Sequence, residues 1–139
     1  MDVVVLIGRI LFVALFLGAA AGHLTQRQAM AGYAASRGVP APELAVTGSV
    51  VVLALGGLSV LLGVWADLGA LLLIVFLVPT ALLMHSFWRD SDPGARQIEL
   101  IQFQKDVALT GAALILFAFF AYAGHDLGLT LTGPLFSLS

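Results

Sequence analysis

The run LAVTGSVVVLALGGLSVLLGVW, Leu44–Trp65, decides the fold of this chain. It has no charged side chain, and its length is close to the ~20 residues that cross a hydrocarbon core as a helix. Outward from it, three more apolar runs have similar length, so that the four spans lie at roughly 3–23, 43–65, 68–88 and 100–123. The runs lack the alternation of barrel strands, and the pattern therefore predicts four transmembrane helices.

The overall composition also indicates a membrane protein. Of the 139 residues, 60% are hydrophobic and only 10% are charged, and the mean hydropathy is +1.06. A soluble domain carries roughly 25% charged residues, because its surface must face water. We therefore expect a single all-α membrane domain over residues 1–139, folded as an antiparallel four-helix bundle in the lipid bilayer.

Composition excludes several kinds of site. The chain has no cysteine, which excludes a dithiol relay, an iron–sulfur cluster and thiolate metal ligands. It has no basic run, so no nucleic-acid partner is expected, and no metal site is predicted. The first apolar run ends in small residues, but Asp2 and Arg9 are the reverse of a signal peptide's arrangement, and we expect it to remain the first span.

The order of the spans assigns each connection to one face of the membrane. The first and third connections share a face, here called side A, whereas both termini and the turn at Asp67 share the other, side B. Five of the six basic residues lie on side A, so the positive-inside rule predicts that side A faces the cytoplasm. Within the first connection, Thr25–Pro42, a short helix on the membrane surface and a plain loop both fit the sequence.

Side A collects the residues that could carry chemistry. His23 ends the first span and His85 ends the third. At the start of the fourth span, Gln102, Lys105 and Asp106 share one helical face, because they are three and four residues apart. Ionisable groups near the hydrocarbon tend to point into the bundle, so these five could line a pocket for a quinone or lipid head group. The alternative is an interface whose charged side chains reach water and pair.

The same stretch allows two further interpretations. His23 and His85 on two helices at one depth meet only the minimum requirement for axial haem ligands, and haem is not expected. The histidines and Asp106 could also pass protons. Half of the chain's charged residues lie in the 22 positions from His85 to Asp106, and the turn signature SDPG predicts that the middle of this stretch, Arg89–Glu99, is an ordinary wet loop.

Arg9 lies two turns inside the first span. A charge at that depth costs a few kcal/mol unless it reaches the interface or pairs. We predict a structural ion pair between Arg9 and Asp67. Asp2 could also pair with Arg9, and Arg9 could instead snorkel to the interface. The sharper alternative is a proton or ligand path through the bundle.

Two features predict how the spans pack. Pro79 removes a helix hydrogen bond and should kink the third span, so that Pro79 and Thr80 would border any cavity in the bundle. The small residues of GAAAG, Gly18–Gly22, allow close helix contact. We expect that contact within the bundle, although the pattern leaves a homo-oligomer open.

The chain resembles the DoxX family of small four-span bacterial membrane proteins over nearly its whole length. The resemblance lies in the order and spacing of several segments. They are GRILFVALFLGAAAGHL at 8–24, GVPAPELA at 38–45, GGLSVLLGVWADLGALLL at 56–73, HSFW at 85–88 and QFQKDVALTGAALIL at 102–116. The chain departs from the family pattern at four positions. Relatives commonly have lysine where His23 stands, glutamate where Leu53 stands and asparagine where Asp106 stands, and they often have arginine where Asp67 stands.

The resemblance implies a multi-pass protein of the bacterial inner membrane that is associated with redox metabolism. Some relatives are linked to thiosulfate and quinone oxidoreduction, and others to oxidative-stress complexes with soluble enzymes. The expected role is a membrane anchor, or a subunit that binds a quinone or lipid head group beside a soluble or membrane redox partner. The alternatives are a catalytic quinone-linked oxidoreductase subunit and a small transporter or lipid-handling protein. The absence of cysteine counts against a stand-alone redox enzyme, and four unbroken spans count against an ordinary transporter.

Overall fold

The computed structural model describes residues 1–138. The regular structure in this part of the chain is entirely helical: α1 (Asp2–Thr25), α2 (Arg27–Ser36), α3 (Pro42–Leu62), α4 (Ala66–Pro79) and α5 (Pro93–Ala123). A π turn, Thr80–Met84, and a 3-10 turn, Phe87–Arg89, extend α4. Four segments are long and apolar enough to cross a membrane, namely α1, α3, Ala66–Arg89 and α5. The predicted all-α membrane fold with four spans is therefore confirmed.

The spanning helices share one hydrophobic core, which includes Phe16, Leu53, Leu73 and Phe120. The helices pack closely at Gly56 and Gly57, where an added Cβ would lie 2.9 Å from the Leu73 side chain and 2.8 Å from the Leu17 side chain, respectively.

The close contact predicted at Gly18–Gly22 is not found at its glycines. Among the described residues, a Cβ added at Gly18 or Gly22 would meet no atom within 4 Å. The two glycines near the end of α1 therefore make no close helix contact, whereas Gly56 in the middle of α3 packs closely against α4.

Polar contacts show how α1 lies against α3. Arg9, near the start of α1, bonds to carbonyls at the end of α3. His23, near the end of α1, contacts Ser49 near the start of α3. The two helices therefore run in opposite directions, and the antiparallel order of the complete bundle stays a prediction.

The first connection contains the helix α2. Ala31 and Ala34 are buried, so α2 packs on the bundle by its small face. It ends in a Schellman motif, in which Gly38 has φ +80° and the Val39 N–H bonds to the Ala34 carbonyl. Of the two forms that the sequence allows for this connection, the structure has the helical one.

The third span changes its hydrogen-bond pattern after Pro79. The His85 N–H bonds to the Thr80 carbonyl at 3.2 Å, an i→i+5 bond. Such π turns occur often at functional sites, and this one sets the direction in which His85 leaves the helix.

The fourth spanning helix begins seven residues before its predicted start. Asp92 Oδ2 accepts the Ala95 N–H at 2.8 Å, and Pro93 occupies the first helical position. Both are standard devices of a helix N-terminus. The prediction of a wet loop over Arg89–Glu99 is therefore wrong beyond residue 92, and Glu99 lies on a helix.

Candidate functional site

A cavity of about 630 Å³ lies between the helices at side A. All five α-helices contribute to its lining, which is mainly hydrophobic and includes Pro79 and Thr80 as predicted. Its other polar and titratable lining side chains are His23, Tyr33, Ser49, His85, Gln102, Lys105 and Asp106. The cavity thus brings together all five residues that the sequence proposes for a binding pocket.

His85 is held by Glu99, which the sequence prediction placed in the loop. Its Nδ1 lies 2.7 Å from Glu99 Oε2, and both side chains are largely buried. A carboxylate only accepts, so Nδ1 is the protonated ring nitrogen. The neutral ring then carries its lone pair on Nε2, which lies 3.7 Å from Asp106 Oδ2.

Asp106 is the least satisfied polar group of the site. Its side chain is 5% exposed, and Oδ2 has no hydrogen-bond partner among residues 1–138. Oδ1 lies 3.7 Å from Lys105 Nζ, which itself donates to Gln102 Oε1 at 2.5 Å. Buried carboxylate oxygens are normally hydrogen-bonded, so this atom marks a place where a proton or a bound group belongs.

His23 faces the cavity from α1 in a defined tautomer. Its Nδ1 lies 2.7 Å from Ser49 Oγ, and that hydroxyl donates its single hydrogen to the Val46 carbonyl at 2.6 Å. His23 Nδ1 must therefore donate to Ser49. In the neutral ring, Nε2 is left as a hydrogen-bond acceptor.

The helix α2 is fastened beside the cavity by two side chains. The Tyr33 hydroxyl donates to Glu99 Oε1. Burial, with the Glu99 hydrogen bond, raises the pKa of Tyr33 to about 12. Arg37 donates to Asp90 Oδ1 at 2.8 Å and to the Met84 carbonyl at 2.9 Å. The hydrogen bond from Arg37 lowers the pKa of Asp90 below its ordinary value, and the same bond raises the pKa of Arg37.

Sequence reasoning missed Glu99, Tyr33, Arg37 and Asp90. One signal could have identified Glu99, since it precedes Asp106 by seven residues and so shares its helical face. The partners of Tyr33, Arg37 and Asp90 are distant in sequence, and no local pattern indicates them.

Side B is built differently. Arg9 is 1% exposed and donates three hydrogen bonds to backbone carbonyls: Val60 at 2.8 Å, Leu61 at 2.5 Å and Leu129 at 2.7 Å. The first two belong to the last turn of α3, whose carbonyls have no partner within the helix. A cation is also favoured there by the helix dipole.

The predicted ion pair between Arg9 and Asp67 is not formed. Asp67 is fully buried and accepts the backbone N–H groups of Leu135 at 3.0 Å and Phe136 at 2.6 Å. Each charged group is satisfied by the backbone, through the α3 end and the C-terminal segment 124–138, rather than by the other. Within the described residues, side B therefore serves structure.

A family model named DoxX matches residues 4–86. The chain belongs to the DoxX family. The match includes Arg9, His23 and His85, but it ends before α5. The sequence suggests a resemblance over nearly the whole chain, and the family match shows it from α1 to the π turn. The family match does not include Glu99 and Asp106 of α5. In this DoxX protein, their place in the candidate site is therefore argued from the geometry of the structure alone. No curated protein and no solved structure matches the chain.

Proposed function

We propose that this DoxX protein is a membrane subunit that binds a quinone-class head group in the side A cavity. The observation that carries the proposal is the cavity itself, about 630 Å³ of largely apolar space with a cluster of polar side chains. Small-molecule sites have this size and this division between apolar walls and a few placed polar groups. A quinone is a substituted ring on a hydrocarbon chain, so its chain matches the apolar walls and its ring oxygens match the polar groups.

The charges at the cavity favour a neutral ring over an anionic lipid head group. Lys105 is the cationic side chain of the lining, and it is already bonded to Gln102. Asp106 in the lining and Glu99 behind His85 are carboxylates. A lipid phosphate placed here would meet negative charge with little compensation, whereas the oxygens of a quinone-class ring can bond to histidine, glutamine and lysine.

A binding subunit fits the chain better than a complete oxidoreductase. No cysteine is present, and the polar lining consists of groups that exchange hydrogen bonds and protons rather than electrons. Electron exchange with the bound ring would then belong to a soluble or membrane partner, in keeping with the redox association that the family resemblance implies. The proposed location is the bacterial inner membrane, with side A toward the cytoplasm.

Two variants of α3 test the proposal. Val52 lines the cavity, whereas Leu55 is 57% exposed on the outer surface of the helix. Val52→Trp should fill the cavity, and Leu55→Trp adds the same side chain toward lipid. In purified protein titrated with decyl-benzoquinone, we expect Val52→Trp to weaken binding by roughly tenfold or more, about 1.4 kcal/mol, and Leu55→Trp to bind as the unmodified chain does.

The proposal is wrong if the unmodified chain does not bind the quinone, or if both tryptophan variants bind equally well. Mass spectrometry of protein purified from its own membranes separates the lipid alternative. If the unmodified chain carries a quinone that Val52→Trp lacks, the proposal is supported. If it instead carries a phospholipid that Val52→Trp lacks, the proposal is contradicted.

A further inference from the structure

Four titratable side chains lie in one line, and three of them, Asp106, His85 and Tyr33, also line the cavity. Asp106 Oδ2 lies 3.7 Å from His85 Nε2, and His85 Nδ1 lies 2.7 Å from Glu99 Oε2. Glu99 Oε1 accepts the Tyr33 hydroxyl. The Asp106 side chain is 5% exposed, those of His85 and Glu99 are 18% and 15% exposed, and Tyr33 at the far end is exposed.

The hydrogen positions along this line are fixed at all but one link. Tyr33 stays protonated, because its pKa is raised to about 12, and its hydroxyl donates a hydrogen bond to Glu99. His85 donates Nδ1–H to the other oxygen of Glu99. Only the gap between His85 Nε2 and Asp106 Oδ2 has two acceptors facing each other, which is unfavourable in a buried position unless one proton lies between them.

Other charged groups near this line do not supply that proton. On α5, Lys105 approaches Oδ1 of Asp106 rather than Oδ2. Arg37, which follows α2, is paired with Asp90. On α1, His23 gives its Nδ1 hydrogen to Ser49. The proton that this gap needs therefore belongs to His85 or to Asp106, and Glu99 bonds to the other ring nitrogen of His85.

We infer that ligand binding in the cavity is coupled to the exchange of one proton between Asp106 and the aqueous phase, carried by His85 and Glu99. This inference rests on the proposed function. The proton passes from Asp106 Oδ2 to His85 Nε2, the ring releases its Nδ1 proton to Glu99 Oε2, and Glu99 releases it to water. No electron moves, and proton uptake is the same sequence reversed.

The inference distinguishes the two states of a quinone-class ring. A hydroquinone hydroxyl needs an acceptor, so it should bond to unprotonated Asp106 and displace the proton of the Asp106–His85 pair. A quinone carbonyl needs a donor, so it should leave that proton in place. Binding of hydroquinone should therefore release about one proton per chain, and binding of quinone should release almost none.

Calorimetric titration in two buffers of different ionisation enthalpy measures this number. With decyl-hydroquinone we expect about one proton released by the unmodified chain and close to none by Asp106→Asn. Glu43→Gln is the matched control, since Glu43 is an exposed side A carboxylate outside the line, and it should release the same number as the unmodified chain. Circular dichroism checks that each variant is folded, and the dimethyl ether of the hydroquinone, which has no hydroxyl hydrogen, should release no proton from the unmodified chain.

Equal proton release from the unmodified chain and Asp106→Asn would overturn the inference, and so would no release from the unmodified chain. Binding of neither ring state would instead overturn the proposed function. The route is tested separately with Glu99→Gln, using a pH-indicator dye in stopped flow. We expect the amount of released proton to be retained and its rate to fall by roughly tenfold or more, whereas an unchanged rate would exclude Glu99 from the path.

Discussion

The two ends of this bundle bury charged groups in opposite ways. At side B, Arg9 and Asp67 are fully buried, and every hydrogen bond recorded for them goes to the backbone. At side A, Asp106 is equally hidden, yet one of its oxygens has no partner among residues 1–138. A buried charge with complete bonding indicates structure, and an incompletely bonded one beside a cavity indicates a functional site.

The C-terminal segment produces much of this difference. Its N–H groups at Leu131 and Thr132 bond to the carbonyls of Leu62, the last residue of α3, and Gly63, its C-cap. The same segment supplies Leu129 to Arg9 and two N–H groups to Asp67. The C-terminal segment thus bonds to both buried charged groups of side B, whereas side A has α2 beside a cavity.

The comparison requires that the two ends face opposite sides of the membrane. Two variants each carry a single cysteine, in place of Ser91 or of Ser137, near opposite ends of α5. We expect these cysteines to react with a membrane-impermeant maleimide from opposite faces of the membrane. Labelling of both positions from one face would remove the even number of spans, and the distinction between side A and side B would fail with it.

The largest energetic effect is expected at Arg9. Arg9→Leu would leave three carbonyls without the Arg9 donor, one in a buried hydrogen bond and two in partly buried ones, and each unsatisfied buried acceptor costs roughly 1–3 kcal/mol. We expect the free energy of unfolding to fall by about 3 kcal/mol or more, measured by denaturant titration in detergent with helical circular dichroism. Arg9→Lys keeps the charge and a donor, and should lose less. A loss near zero for Arg9→Leu would show that these bonds do not stabilise side B.

A double variant separates backbone bonding from the ion pair that the sequence suggests. If Arg9 and Asp67 neutralised each other, Arg9→Leu with Asp67→Asn would recover part of the stability lost by Arg9→Leu alone. Because each residue has its own backbone partners, we expect no recovery. A double variant more stable than Arg9→Leu would restore the ion-pair interpretation.

The sequence predicts the fold well because composition decides it. Runs such as Leu44–Trp65 are apolar over a full membrane thickness, and only helices satisfy the backbone there. α5 extends further toward the N-terminus than the apolar span at 100–123, because Asp92-Pro93, part of a turn signature, is also a helix N-cap followed by proline at the first helical position.

The candidate site could be predicted only in part. The positions of His23, His85 and Asp106 follow from counting spans, since each lies at a helix end on one face. The error at Arg9 has a physical reason, because backbone carbonyls are acceptors that no residue type reveals. The role of Glu99 depends on the π turn after Pro79 directing His85 toward α5, and tertiary packing rather than sequence determines that direction.

A smaller, pH-dependent effect is expected where Arg37 fastens the end of α2. Asp90 has a pKa below its ordinary value of 3.8 because Arg37 bonds to its charged form. Such a group stabilises the fold fully above its ordinary pKa, and this contribution is lost as the pH falls through the lower, folded value. The thermal midpoint of the unmodified chain should exceed that of Asp90→Asn near neutral pH, and the difference should shrink progressively as the pH falls below 3.8. A difference that persists in acid would exclude the pairing as its cause.

The most direct test compares Asp67→Asn with Asp106→Asn, two isosteric changes of a buried carboxylate at opposite ends. For each variant, the free energy of unfolding and the affinity for decyl-hydroquinone are measured in the same preparation. We expect Asp67→Asn to lose about 1–3 kcal/mol of stability and keep its affinity. Asp106→Asn should keep its stability, because Asp106 Oδ2 has no hydrogen bond to residues 1–138 that the change would remove, and should bind roughly tenfold more weakly, about 1.4 kcal/mol. Equal losses of stability with unchanged affinity in both variants would contradict the division into a structural end and a ligand-binding end.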